Sequence, residues 1–144
     1  MLIRFSSIGN KIYQNDISYT LWQGIYLISW PEKTYGSPEN NIIYRNNFEN
    51  CGHYKFLNNG YYGIMISSAY NNSIYQNNFI NNMPFSQACD VSNNIFYNIT
   101  NLNGNYWDNY SYEDINGDGI GDTPYKINCG NNQDPYPLMN PVDI

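Results

Sequence analysis

The sequence predicts an all-β fold: a parallel β-helix of about three coils, followed by an irregular carboxy-terminal cap. Three observations lead to this prediction. The chain of 144 residues contains 27 asparagines, 16 tyrosines and 11 glycines, a composition that suits strands and tight turns better than helices. A short phrase recurs along the chain. The repeating unit is about 22 residues long, which is typical of one β-helix coil.

The repeated phrase reads N-x-I-Y-x-N-x-[IF], and a second segment that opens with a small residue follows each copy. Successive copies begin 31, 31 and 22 residues apart. The two longer intervals contain insertions at different corners, so the shared value of 31 is a coincidence. The copies are NKIYQNDI (10–17), NIIYRNNF (41–48), NSIYQNNF (72–79) and a degenerate NIFYNIT that begins at residue 94.

Stacked coils lie about 4.8 Å apart, so a residue that recurs at one coil position should stack on its equivalents. We expect two apolar ladders to point inward. We also expect corner asparagines to bond their side-chain amides along the stack and to adopt left-handed backbone angles. The first apolar ladder is Ile12, Ile43 and Ile74, the second is Ile17, Phe48 and Phe79, and the asparagines are Asn15, Asn46 and Asn77.

The repeat and the tail together resemble the NosD-like proteins, which are right-handed parallel β-helices within the class of carbohydrate-binding and sugar-hydrolase β-helices. The tail contains GNYWDNY, DINGDGIGDTPY and DPYPLMNP in this order, similar to the carboxy-terminal end of archaeal and bacterial cell-surface members. The resemblance implies right-handed coils, which we assign to residues 1–105, and a cap, which we assign to 106–144. One departure is WDNY in place of Trp-Ser-Asp-Tyr, which leaves Asp108 without an implied role.

The resemblance also implies a copper-delivery role for some members, which the residues of this chain disfavour. Copper requires His, Cys or Met ligands that are placed together. His53 is the sole histidine, and the methionines are far apart in sequence.

The segment DINGDGIGD (114–122) predicts a structural Ca²⁺ site. Its oxygen-bearing residues occupy positions one, three and five of the first half of a calcium loop, a glycine permits the turn, and a carbonyl and a further carboxylate follow. The loop has no acid at position twelve, so a ligand from elsewhere, such as Asp108 or Glu113, would have to complete the shell. The alternative is a solvated, glycine-rich turn. The predicted ligands are Asp114, Asn116, Asp118, the carbonyl of Ile120, and Asp122.

The charge pattern excludes nucleic acid as a partner. The net charge is −6, and the basic residues are scattered singly, whereas phosphate binding requires clustered Lys and Arg. No apolar run approaches the length of a membrane-spanning helix. The amino terminus lacks a secretory signal, so an exported parent protein would carry its signal upstream. Export would permit glycosylation at the sequons of Asn71, Asn98 and Asn109.

The distribution of acids argues against an enzyme. β-Helix lyases and glycosidases use paired carboxylates or a basic residue beside a metal, and no two acids of the coil region fall at equivalent positions. We therefore expect a non-catalytic secreted or cell-surface module, either carbohydrate-binding or structural, with a fragment of a polysaccharide-degrading enzyme as the alternative. Candidate glycan-binding residues are four aromatics that lie near corners or insertions, where exposed rings could stack on a glycan: Trp22, Trp30, Tyr35 and Tyr61.

Cys51, Cys89 and Cys129 have wide spacings that define neither a zinc site nor a disulfide framework, and we interpret Cys51 and Cys89 as small buried hydrophobic residues. At the amino terminus the first phrase begins at Asn10 with no recognisable cap before it. Solenoid ends need covering. We therefore expect this chain to be the carboxy-terminal part of a longer exported protein, or its open end to pair with another copy.

Overall fold

The computed structural model describes residues 1–4, 6–29, 36–52, 61–82 and 87–144, and these residues form short strands joined by turns. Neither an α-helix nor a 3₁₀-helix occurs among them, and none of them belongs to a helix that could cross a membrane. The all-β prediction is confirmed for this part of the chain. The strands are β1 (Leu2–Arg4), β2 (Lys11–Tyr13), β3 (Asp16–Ser18), β4 (Ile25–Ile28), β5 (Ile42–Tyr44), β6 (Asn47–Glu49), β7 (Ile64–Ser67), β8 (Tyr70–Tyr75), β9 (Asn78–Ile80), β10 (Ala88–Asp90), β11 (Asn93–Ile95), β12 (Tyr106–Trp107), β13 (Tyr125–Lys126) and β14 (Gln133–Asp134).

Within the described residues, each strand from β1 to β9 pairs in parallel with the strand three places later in the chain, and this pairing produces three sheets. Sheet 1 has the order β1-β4-β7-β10, sheet 2 the order β2-β5-β8-β11, and sheet 3 the order β3-β6-β9-β12. A separate antiparallel pair joins β13 to β14 in the tail. One strand from each sheet forms a layer, and the chain completes a layer before it begins the next. This topology is that of a β-solenoid.

Both predicted apolar ladders are confirmed, with the predicted register. Ile12 pairs with Ile43 and Ile43 with Ile74 in sheet 2, while Ile17, Phe48 and Phe79 pair in the same way in sheet 3. The members in the second and third layers have no exposed surface, whereas Ile12 and Ile17 are only partly buried. Their partial exposure follows from their position in the first layer, because the second layer covers them on one side and no described strand covers them on the other.

Aromatic stacking continues sheet 3 into the tail. The Phe48 and Phe79 rings stack at 4.8 Å between centroids, Trp107 stacks on Phe79 at 4.4 Å, and Tyr125 stacks on Trp107 at 4.2 Å. Trp107 is 1% exposed. The tail therefore closes the apolar column with rings of matching orientation, an arrangement that adds to the stabilisation from area burial alone.

Two of the small residues that open the second segment of a repeat, Gly24 and Gly63, are required by close packing beside this column. A Cβ atom at Gly24 would lie 2.6 Å from the carbonyl oxygen of Gly63, and one at Gly63 would lie 2.9 Å from the Phe79 ring. Ala88 lies one place further along the strand, because it pairs with Ile64, as Ile25 does. The space beside the phenylalanine stack thus selects glycine at residues 24 and 63.

The predicted bonding between asparagine side chains is confirmed and is more extensive than the phrase suggested. In the first amide ladder, the backbone N–H and the Nδ2 of each asparagine both donate to the Oδ1 of the next, at 2.9–3.0 Å. The second amide ladder has the same pattern, at 2.8–3.1 Å. The first ladder comprises Asn10, Asn41, Asn72 and Asn94, and the second comprises Asn15, Asn46, Asn77 and Asn105.

The predicted left-handed backbone at Asn15, Asn46 and Asn77 is wrong. The left-handed angle belongs to the preceding residue at each corner, and this turn directs the asparagine side chain along the stack. The asparagine itself must keep its N–H and its amide on the same side, so that both can donate to one oxygen. The left-handed residues are Gln14 (φ 54°), Arg45 (φ 53°) and Gln76 (φ 52°).

A third amide ladder comprises Cys51, Asn82 and Gln87, with Cys51 in the place of an asparagine. The Cys51 N–H donates to Asn82 Oδ1 at 2.9 Å, and its thiol donates to the Ile17 carbonyl at 3.3 Å, just as Asn46 Nδ2 donates to the Ile12 carbonyl. It is fully buried and unbridged, as predicted, and burial raises the pKa of its thiol.

The interpretation of Cys89 as a simple buried hydrophobic residue is wrong. Cys89 is buried, but it forms a disulfide with Cys129, which is 40 residues away in sequence. Sequence spacing could not indicate this pair because the tail returns to β10 only in the folded chain, where the Asp90 N–H also donates to the Asn128 carbonyl. The disulfide fixes the tail to the last strand of sheet 1.

We predict that Asn46→Ala destabilises the protein by about 3 kcal/mol or more, because it takes the shared acceptor from the N–H and Nδ2 of Asn15 and removes one of the two donors to Asn77 Oδ1. Asn46→Asp should cost at least as much, since an acceptor would then face Asn77 Oδ1. Urea unfolding followed by circular dichroism measures both effects. The matched control is Asn131→Ala at an exposed turn residue; an equal loss in this control would contradict a special role for the ladder.

Candidate functional site

The polar groups of the described residues converge at the carboxy-terminal end of the solenoid, where each amide ladder ends on a carboxylate. The first ladder ends on Asp90, the second on Asp134, and the third, through Asn82 and Gln87, on Asp108. A carboxylate accepts hydrogen bonds without offering a donor. It can therefore receive the last amide of a ladder and needs no further acceptor beyond it.

Asp134 is one of the two fully enclosed carboxylates among these three. It has no exposed surface, and its Oδ2 accepts from the Asn105 N–H at 2.7 Å, from Asn105 Nδ2 at 3.3 Å and from Trp107 Nε1 at 3.0 Å. Its Oδ1 accepts from the Tyr136 N–H at 3.0 Å. Asp134 thus joins the end of the second amide ladder to the end of the aromatic column.

Burial raises the pKa of Asp134 to about 6, against the lowering effect of its N–H donors. Gly104 makes this enclosure possible, because a Cβ atom at that position would overlap the Asp134 carboxyl group. The carboxyl group has a structural role, since both of its oxygens already accept from the protein.

Asp90 and Asp108 end the other two ladders by similar contacts. Asp90 has no exposed surface, and its Oδ1 accepts from Asn94 Nδ2 at 3.0 Å and from the Ser92 N–H at 2.8 Å, while Asn132 donates to its Oδ2. Asp108 is exposed and accepts from Gln87 and from the Asn81 N–H at 2.6 Å. Asp108 therefore has a structural role at the end of the third ladder, whereas the sequence suggested it only as an outside ligand for the acidic loop.

The acidic loop is closed by its own hydrogen bonds. Asp114 Oδ1 accepts from the Gly117 N–H at 2.7 Å and Asp114 Oδ2 from the Gly119 N–H at 2.9 Å. Asp118 accepts from the Ile120 N–H and from Asn116 Nδ2. These contacts use the side-chain oxygens of Asp114 and Asp118 to close the turn.

Calcium binding stays a prediction. Among the described residues, no group of three or more His, Cys, Asp or Glu side chains converges into a metal site. Asp122 Oδ2 accepts from the Ile115 N–H at 2.6 Å, and the Asp122 N–H donates to the Glu113 carbonyl at 3.0 Å. Hydrogen bonds alone thus account for the loop as it stands, and a bound ion would have to replace some of them.

The predicted glycan-binding aromatics are in different environments. Trp22 is 57% exposed and meets the Tyr61 ring edge-on at 5.2 Å between centroids, whereas Tyr61 is 5% exposed. A ring as buried as Tyr61 supports its neighbour and has no face to offer a sugar. Trp30 and Tyr35 lie outside the described residues. Of the four candidates, the structure shows only Trp22 as an exposed ring.

The repeated tyrosine of the phrase forms a stack that sequence reasoning did not single out. Tyr13, Tyr44 and Tyr75 are paired in register in sheet 2, with ring centroids 5.1 and 5.5 Å apart and planes within 22° of parallel. The signal was the invariant Y of the phrase itself. Because each face of the Tyr44 ring contacts a neighbour, the stack presents edges to solvent and is better suited to stiffening the sheet than to binding sugars.

Comparison of the chain with protein-family models, with curated proteins and with solved structures returned no match. The arguments about function therefore depend on the site and the fold.

We predict that Asp134 makes the free energy of unfolding decrease as the pH rises from about 4 to about 6. The folded state holds the proton up to a pKa of about 6 and the unfolded chain only to 3.8, so the folded state binds more protons across this window. The contribution is present in full below pH 4 and is lost above pH 6, by at most about 3 kcal/mol. Urea unfolding at half-unit pH steps measures the slope.

Asp134→Asn should remove this slope and lower the stability at pH 5 by about 1–3 kcal/mol, because its NH₂ group would face N–H donors. Asp143→Asn, at an exposed position, is the matched control and should leave the slope unchanged. If the free energy of unfolding of the wild type exceeded that of Asp134→Asn by an amount that rose with pH, the N–H donors would instead hold Asp134 ionised.

For the acidic loop, we predict that chelator-treated protein binds one Ca²⁺ in calorimetry and that the ion raises the melting temperature by mass action. Asp118→Asn keeps an acceptor for the Ile120 N–H but removes a charge, so it should abolish binding with little effect on the metal-free protein. Asp143→Asn again serves as control. Absence of heat and of any shift in melting temperature would leave a hydrogen-bonded turn.

Proposed function

We propose that this chain is a non-catalytic structural module of an exported protein, a stalk or spacer built as a right-handed parallel β-helix. The observation that carries the proposal is the use of its polar groups. The buried amides and the carboxylates that end the ladders are occupied in holding one layer to the next. Catalytic carboxylates, in contrast, need a free oxygen directed at a substrate.

The right-handed coil is supported by a general rule. In the described strands, two members of one sheet are joined by a connection that passes through the other two sheets, which is a parallel crossover, and such crossovers are right-handed in nearly all cases. We assign one coil to each layer of strands. The last layer contains a strand of the tail in addition to strands of the repeats, because the fourth strand of sheet 3 is β12. We propose that the solenoid is of the NosD-like kind.

Export is supported by the Cys89–Cys129 disulfide. Disulfides persist in oxidising compartments and are rare in the cytosol. Here the bond joins the tail to the last strand of sheet 1, where it would protect the end of an extracellular module from opening. The proposed location is therefore the cell surface or the extracellular space.

A second candidate function is carbohydrate binding, favoured by the exposed Trp22 ring and its support by Tyr61. An exposed tryptophan face that a buried ring holds in place can stack on a sugar. This function is compatible with the structural role, because the ring lies on the outside of the solenoid and takes no part in the ladders.

A panel of immobilised polysaccharides tests both functions. We expect no release of soluble sugar from any of them. If the protein is retained, Trp22→Ala should abolish the retention, whereas Tyr19→Ala, at a tyrosine that is 76% exposed, should not. Passage without retention leaves the structural role alone. Release of new reducing ends or unsaturated sugars would show an enzyme and would contradict the proposal.

A further inference from the structure

The hydrogen-bond polarity of the amide ladders gives the amino-terminal end of the solenoid a defined binding preference. In the first and second ladders, the N–H and Nδ2 groups of one layer donate to the Oδ1 of the next layer. Every inner Oδ1 therefore receives two donors from the layer before it. Asn10 and Asn15 stand in the first layer, and no described residue donates to the Oδ1 of either one.

The surroundings of these two oxygens are those of an unfinished layer. Ile12 and Ile17 are half-buried beside an open concavity of about 420 Å³, which Lys11, Asn15 and Asp16 also line. Met1 and Leu2 are about half exposed, and among the described strands β1, β2 and β3 each have a partner on one side only. The end thus combines apolar side chains, open strand edges and amide oxygens that lack the donors present in every layer below.

We propose that this end binds one further solenoid layer that carries asparagine at both ladder positions, with its N–H and Nδ2 groups directed at Asn10 and Asn15. The chain's own phrase, N-x-I-Y-x-N-x-[IF], has this chemistry. Its two asparagines are five residues apart, as Asn10 and Asn15 are, and its isoleucine and final apolar residue would cover Ile12 and Ile17.

The same polarity argues against a second copy of this chain as the occupant. Two amino-terminal ends would bring Oδ1 acceptors together. The opposite end of a copy offers no ladder donors either, because its ladders finish on the carboxylates Asp90, Asp108 and Asp134. This distinguishes the proposal from the expectation that the open end pairs with another copy, and it is independent of any glycan binding.

A fusion tests the proposal directly. Leu2 pairs with Tyr26, which places Met1 opposite Ile25, and Ile25 and Ala88 both pair with Ile64. Met1 and Ala88 therefore hold the same layer position, and a copy of residues 72–87 placed before Met1 enters in register. We expect the melting temperature of the full chain to rise by about 5 °C or more and hydrogen exchange in β2 and β3 to slow.

The matched control carries Asp in place of both ladder asparagines of the added copy, so that acceptors face Asn10 and Asn15 with the apolar residues unchanged. It should melt at or below the temperature of the parent chain. A second fusion with two glycines before Met1 guards against strain at the junction. An equal rise in melting temperature in the Asp control, or no rise in either asparagine fusion, would overturn the proposal. The proposal would also fail if the parent chain formed end-to-end dimers in light scattering and both the asparagine fusion and the Asp control abolished them.

Discussion

The directed hydrogen bond from one buried amide to the next is the interaction on which the rest of the structure depends. Stacked layers can bury Ile and Phe in many registers, because apolar contact is not directional. An asparagine that donates both its N–H and its Nδ2 to one oxygen of the next layer allows a single register. A shift of one residue would leave these buried groups unpaired, at a cost comparable to the stability of a small domain.

This constraint explains the way the solenoid ends. A ladder of amides always leaves donors at one end, and here these donors meet the carboxylates of Asp90, Asp108 and Asp134. Two of the three are fully buried, and each is held by contacts from the tail or from the last layer. The tail is therefore more than a lid over apolar rings, because it supplies two of the three acceptors, Asp108 and Asp134, that complete the polar core.

The same contacts limit what the molecule can do as a site. Buried carboxyl groups with raised pKa values often mark active sites, and Asp134 would fit that description by its pKa alone. Its geometry supports a different interpretation, since both of its oxygens accept from Asn105, Trp107 and Tyr136 and Gly104 is packed against it. Among the described residues, the candidates for binding a sugar or a cation, Trp22 and the acidic loop, lie outside the ladders.

The sequence by itself determined the stacking of Ile12, Ile43 and Ile74, of Ile17, Phe48 and Phe79, and of the asparagines, because residues at one phase of a repeat must lie above one another once coils form. Only the tertiary structure decided the contacts of the tail: Asp90 and Asp134 as ladder ends, the Cys89–Cys129 bond, and the burial of Tyr61. No periodicity relates these residues. Their positions depend on how the tail returns to the last layer, and that arrangement is stabilised by many contacts between segments that are far apart in sequence.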